Sequence, residues 1–155
     1  PARSPFRIYR DVRFGKDKRP FKTNIGIQFR HFLGKDVHAP GFYLHLEPGA
    51  SFAGGGLWHP QPEALLKVRQ ALAAQPKTWK AIRESGLVIQ GDALKRVPQG
   101  FDAQHPWAED LKRKDFVAGA GLEDDVVLGP RLRQAVASGF AGMAPMVAEL
   151  TAGAP

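Results

Sequence analysis

The first 58 residues alternate apolar and polar positions with period two, the pattern of half-buried strands. In segment 6–14, Phe6, Ile8, Arg10, Val12 and Phe14 share one face, and Arg7, Tyr9, Asp11 and Arg13 share the other. In 24–32, Ile25, Ile27 and Phe29 alternate with Gly26, Gln28 and Arg30. In 41–47, Phe42, Leu44 and Leu46 alternate with Tyr43, His45 and Glu47. A fourth extended piece, 51–58, opens at Ser51-Phe52-Ala53 and is interrupted by Gly54-Gly55-Gly56 before Leu57-Trp58. Turn residues punctuate these runs: Gly15 and Pro20, Gly34, and Pro48-Gly49. Links this short predict antiparallel neighbours, because parallel strands need long crossovers.

After Pro60 the period becomes helical. Leu65, Val68, Arg69 and Leu72 form one stripe of a helix over 62–74, with Pro62 at its first position. A second helix starts at Pro76, turns Trp79 and Ile82 inward and ends near Ser85-Gly86. Residues 87–106 read as loops around one short strand at most, followed by a short helix through Lys114. Phe116-Val117-Ala118 returns to the sheet, and Glu123-Asp124-Asp125 reads as an acidic loop. A helix over 131–149 carries the stripe Leu132, Val136, Phe140, Met143, Val147, Leu150, and Pro145 should kink or split it. The expected fold is α+β, an antiparallel sheet from the first half packed by helices from the second.

The length, 155 residues, suits one domain with a real core. The chain enters its first extended run at once and has no initiator Met, so it reads as the C-terminal and larger part of a longer domain. The opening Pro1-Ala2-Arg3-Ser4-Pro5 has no apolar h-region of a signal peptide. No apolar run approaches a membrane span, so no membrane partner is expected. Cysteine is absent, which removes disulfides and thiolate chemistry and fits a reducing, cytoplasmic setting. No cofactor motif is present, and the sequence does not set an oligomeric state.

Charge changes the picture. Of a net +7, the whole excess lies in residues 1–40, where ten Lys and Arg face three acids. The remainder of the chain is balanced. Such a basic patch suits an anion-binding surface, and equally a solvated edge whose acidic complement lies elsewhere. Arg10 falls on the apolar face of its segment, where a guanidinium needs a partner: Asp11, Asp17, Glu47 or a ligand anion.

Arg7-x-x-Arg10-Asp11-x-Arg13-Phe14-x-x-Asp17-Lys18 resembles the signature of a bacterial family known as domain of unknown function 2461. His38-Ala39-Pro40-Gly41-Phe42-Tyr43-Leu44-His45-Leu46, Gly54-Gly55-Gly56-Leu57-Trp58-His59-Pro60 and the stretch 112–118 resemble it too. Phe21 stands where the family usually has Tyr, so that hydroxyl is dispensable here. The resemblance implies members that extend further upstream, and it implies no activity.

Function must therefore come from side chains. Arginine presents a planar fork suited to carboxylate or phosphate. The candidate ligand-binding set is Arg7, Arg10, Asp11, Arg13, Asp17, Lys18, Tyr43, His45 and Trp58, with an internal Arg–Asp network as the alternative. His31, His38, His45 and His59 match no compact metal motif, so no metal is expected. A His45–Glu47 acid/base pair is conceivable, but strand residues two apart stand parallel and need not touch. The glycine run lacks the Lys-Ser/Thr of a phosphate loop, which leaves close sheet packing or a bulge as its expected role. The leading expectation is a small-molecule-binding protein or enzyme with an arginine-lined pocket for an anionic group. The alternatives are a nucleic-acid-binding module and a structural motif whose function lies in upstream residues. Nucleic acid is the less expected partner, since no helix carries a basic face that would fit a groove.

Overall fold

The computed structural model describes residues 5–13, 18–30, 39–74 and 76–153. Four strands, β1 (Ile25–Arg30), β2 (Gly41–Leu46), β3 (Ser51–Leu57) and β4 (Phe116–Leu122), form one antiparallel sheet in the order β1-β2-β3-β4. The helices are α1 (Pro62–Ala74), α2 (Pro76–Glu84), the single turns α3 (Ala108–Leu111) and α4 (Asp124–Val127), and the long α5 (Leu132–Gly153). The α+β architecture, an antiparallel sheet with helices packed on it, follows the alternation in the sequence.

Strand alternation sorts the sheet into two faces. Ile27, Leu44 and Ala53 pack with Phe140 and Val136 under α5, and Phe42 stacks on Phe140 with ring centroids 4.8 Å apart. Glycine makes this seat possible. A Cβ on Gly55 would come within 2.9 Å of the Phe42 ring and 3.3 Å of Val147. Gly56 has φ +135°, and a Cβ there would run into the Phe116 carbonyl. The three glycines therefore do not interrupt β3. They pair continuously with Gly41, Phe42 and Tyr43, so the expected break is replaced by close packing.

Leu57, Val68, Leu72, Trp79, Leu111, Phe116, Met146 and Leu150 form the main core. α5 has 22 residues and is long and apolar enough to cross a membrane by length and composition, contrary to the sequence expectation. Here it buries Met143, Met146, Val147 and Leu150 in the core. Pro145 neither splits nor ends it. The carbonyl that Pro145 leaves without an intrahelical donor belongs to Ala141, on an exposed side of the helix.

Segment 6–14 departs from expectation. Its described part is extended but forms only isolated bridges, Pro5 with Ile27 and Tyr9 with Phe21. Phe6 donates its N–H to Gly26, and the chain then leaves the sheet as a loose hairpin, with Arg10 N–H on Pro20 and Lys22 N–H on Ile8. No core lies beneath it: Phe6 is 44% exposed and Ile8 51%, and Arg10 is exposed with them. The predicted core face of this segment is thus corrected, because only its first residues reach β1.

Buried charge is organised by two aspartates. Asp110, 3% exposed, accepts from Trp79 Nε1 at 2.7 Å and Arg113 Nε at 3.0 Å, with Arg83 Nε at 3.5 Å. Beside it, Arg69 donates to the carbonyls of Leu111 and Arg113 at 2.8 Å each, which caps the end of α3. Replacing one partner of a buried charge pair strands the others. Asp110→Ala should therefore lower unfolding free energy by about 3–5 kcal/mol, read as a fall in the urea midpoint at unchanged m-value.

Candidate functional site

The sheet face opposite α5 carries Gly26 and Gln28 from β1, Tyr43 and His45 from β2, Phe52 and Gly54 from β3, and Gly119 and Gly121 from β4. His45 and Phe52 are direct cross-strand partners, and their rings stack at 5.0 Å with planes 16° apart. Tyr43 lies 6.0 Å from Phe52, and Phe6 of the arm closes on Tyr43 at 6.1 Å. Tyr43 Oη sits where a Cβ on Gly26 would be. Phe52 remains 37% exposed, next to the exposed backbone of Gly119 and Gly121.

His45 is the centre of a polar row. Its Nε2 lies 3.0 Å from Glu47 Oε2, and its Nδ1 lies 3.3 Å from Asn24 Nδ2 and 3.4 Å from Tyr43 Oη. A carboxylate only accepts and an amide nitrogen only donates, so the neutral tautomer with hydrogen on Nε2 satisfies the row. Nδ1 then faces Tyr43 as an acceptor, the arrangement of a base held in place by a carboxylate. Burial pushes the Tyr43 phenol above its ordinary range. The expectation that Glu47 need not touch His45 is corrected. Glu47 lies just past the end of β2, where the pleat gives way to the turn clamped by Ser51 Oγ on Glu47 N–H and carbonyl.

The remaining predicted residues separate into two other places. Arg7, Arg10, Asp11, Arg13 and Lys18 lie on the arm and are exposed. Arg13 forks onto Asp11 with Nε at 3.0 Å and Nη2 at 2.7 Å, which holds the Asp11 carboxyl below its usual range. Lys18 Nζ donates to the Val12 carbonyl at 2.8 Å. Asp17 lies outside the described residues, as do His31 and His38. Trp58 stands six residues along β3 from Phe52, about 20 Å away at the usual strand rise. It packs on His59, whose φ of 46° and N–H bond to buried Asp115 at 2.7 Å fix the corner after β3. Among the described residues no group of three or more His, Asp or Glu is placed to hold a metal ion. Sequence reasoning missed Phe52, Asn24 and Thr23. The signal for Phe52 was the turn at 47–50, whose length sets it opposite His45.

The row makes a pH prediction. Glu47 is held below its ordinary value of 4.5, first by the hydrogen bond from His45 and then by that from Thr23, with burial opposing. A lowered folded value means the stabilisation is complete above the unfolded value and is lost as pH falls through the folded one. Urea midpoints measured between neutral pH and pH about 3 should fall less steeply for Glu47→Gln than for the parent below pH 4.5.

Comparison with curated proteins returns no match, and comparison with solved structures returns none. Residues 1–148 match the family described as conserved hypothetical protein, DUF2461, and the chain belongs to that family.

Proposed function

We propose that the open face of the sheet binds a small molecule that combines an anionic group with a flat apolar part. The observation that carries this reading is the row Glu47–His45–Tyr43 beside the exposed ring of Phe52. A polar row with a fixed imidazole tautomer, adjoining an aromatic surface and a bare strand backbone, offers a flat group a stacking partner and an ionisable group a proton acceptor. The arm adds the charge. It runs from Phe6, which lies against Tyr43, directly into Arg7 and Arg10, and arginine forks suit phosphate and carboxylate. In this reading His45 exchanges a proton with the ligand or with Tyr43, and turnover is not required.

A second reading has its own support. Aromatic rings on an open antiparallel sheet, next to a basic arm, also suit unpaired bases and their phosphates. Single-stranded nucleic acid would then bind with a steep loss of affinity as salt rises, while duplex DNA would bind weakly.

A thermal-shift screen of phosphates, nucleotides and aromatic carboxylates tests the first reading. A ligand at 100 times its Kd adds about 2.7 kcal/mol, or roughly 5–10 °C for a chain of this size. Phe52→Ala and His45→Gln should each abolish the shift while leaving the unliganded protein folded. An unshifted midpoint across the screen, or a shift that survives both substitutions, would overturn the proposal.

A further inference from the structure

The arm joins the sheet through a hinge. Between the bridges Pro5–Ile27 and Tyr9–Phe21 the outer strand advances four residues, while its partner advances six. The two extra residues lie on the side leading to β1, and the chain bends at Thr23 and at Ile8. Lys22 N–H on Ile8 closes the arm on one side of this hinge, and Phe6 N–H on Gly26 ties it to β1 on the other. Gly26 leaves room for this seat, since a Cβ there would meet the Phe6 ring at 3.0 Å and the Tyr43 hydroxyl. The hinge residues are bonded to the polar row. Thr23 Oγ1 donates to Glu47 Oε1 at 3.0 Å, and Asn24 Nδ2 faces His45 Nδ1 at 3.3 Å.

These bonds differ in how they answer a proton. His45 lies in β2 and Glu47 just after it, so their 3.0 Å contact belongs to the sheet wherever the arm lies. Thr23 and Asn24 belong to the hinge. The Asn24 amide nitrogen offers a hydrogen that Nδ1 accepts only while it carries none itself. The Thr23 hydroxyl offers one that a carboxylate accepts more strongly than a neutral acid does. The other groups around His45 do not oppose this preference. Tyr43 Oη, at 3.4 Å, both donates and accepts, while the Phe52 ring from β3 and Gly26 from β1 are uncharged. Arg7 and Lys22, the cations next to Phe6 and Thr23, repel an imidazolium, which acts in the same direction.

We infer that Thr23 and Asn24 form a proton-sensitive latch: the arm is docked on the sheet while His45 is neutral, and is released as Nδ1 takes up a proton. Linkage makes the coupling reciprocal, so docking in turn disfavours the proton on Nδ1. Glu47 keeps its contact with Nε2 through the change and stabilises the imidazolium that forms. The arm carries Arg7, Arg10 and Lys22, so its release withdraws these cations from the edge of the open face. Acid then weakens the binding of an anionic ligand at that face. This consequence rests on the ligand reading proposed above, whereas the latch itself does not.

Hydrogen exchange of the intact chain from pH about 8 to pH about 5, the range in which histidines titrate, is the test. With intrinsic exchange rates divided out, the Phe6 amide should lose protection by roughly 5–150-fold as pH falls, the usual size of coupling between two sites. The loss should follow the titration of the His45 ring resonances, while the amides of β3, bonded on both sides, stay protected. His45→Gln should remove the pH dependence. Asn24→Asp, whose carboxylate accepts from a protonated Nδ1, should reverse it, so that Phe6 is better protected on the acid side. Circular dichroism checks that each variant folds, and the profile of the parent is decisive without any variant. A Phe6 amide that is unprotected at the alkaline end, or equally protected across the range, overturns the inference. So does a loss that survives His45→Gln. Ligands that fail to shift the unfolding midpoint overturn the ligand reading and leave these outcomes unchanged.

Discussion

The structure depends on how closely one helix can approach one strand. α5 lies across β3 with Gly139 3.3 Å, measured from the Cβ it lacks, from the Ala53 methyl. Gly55 gives way to Val147 and Phe42 in the same manner. Larger residues on either side would lift the helix and open the core around Met143, Met146 and Leu150. Once α5 is seated, the covered face of the sheet is settled, and the other face is left to Tyr43, His45 and Phe52.

Charge is handled separately inside and outside this frame. Asp110 and Asp115 are buried and bonded to groups from distant parts of the chain, so they tie the irregular region 87–115 to the helices and to β3. The cations of the arm remain at the surface, where the pairing of Arg13 with Asp11 is local and weak in energy. The residues that resemble a signature thus serve two ends of the molecule. The arginines lie on the arm at one edge, and Trp58 with His59 marks a corner anchored by Asp115.

Much of the fold was legible from period alone, and the misreadings have physical causes. β1 and β2 alternate as strands do, and the turn at Pro48-Gly49 forces β3 to fold back beside β2. Segment 6–14 alternates just as cleanly, yet period says nothing about whether a core lies beneath. The glycines of β3 looked like a break because glycine disfavours strands, and only the nearness of Phe116, Phe42 and Val147 reverses that. β4 was legible as far as Ala118, and its glycine-rich remainder was hidden for the same reason. At the site, Tyr43 and His45 were legible as neighbours on one strand face. Phe52 was not, because its position depends on cross-strand register, and Glu47 was set aside on a strand geometry that ends one residue before it.

The order of elements along the chain has a consequence for how the protein is made. β3 and β4 contain five glycines between them, and each enters the sheet from an unfolded state of unusually high freedom. Their pairing also spans the whole of α1, α2 and α3, so the loop it closes is long. α5, whose Val147 lies against Gly55 of β3, follows every strand in sequence. A nascent chain ending at Leu122 has all four strands but not the long helix that packs on them. Consolidation of the sheet is therefore a late event in synthesis, and until α5 emerges the glycine strands remain open to the surrounding chain.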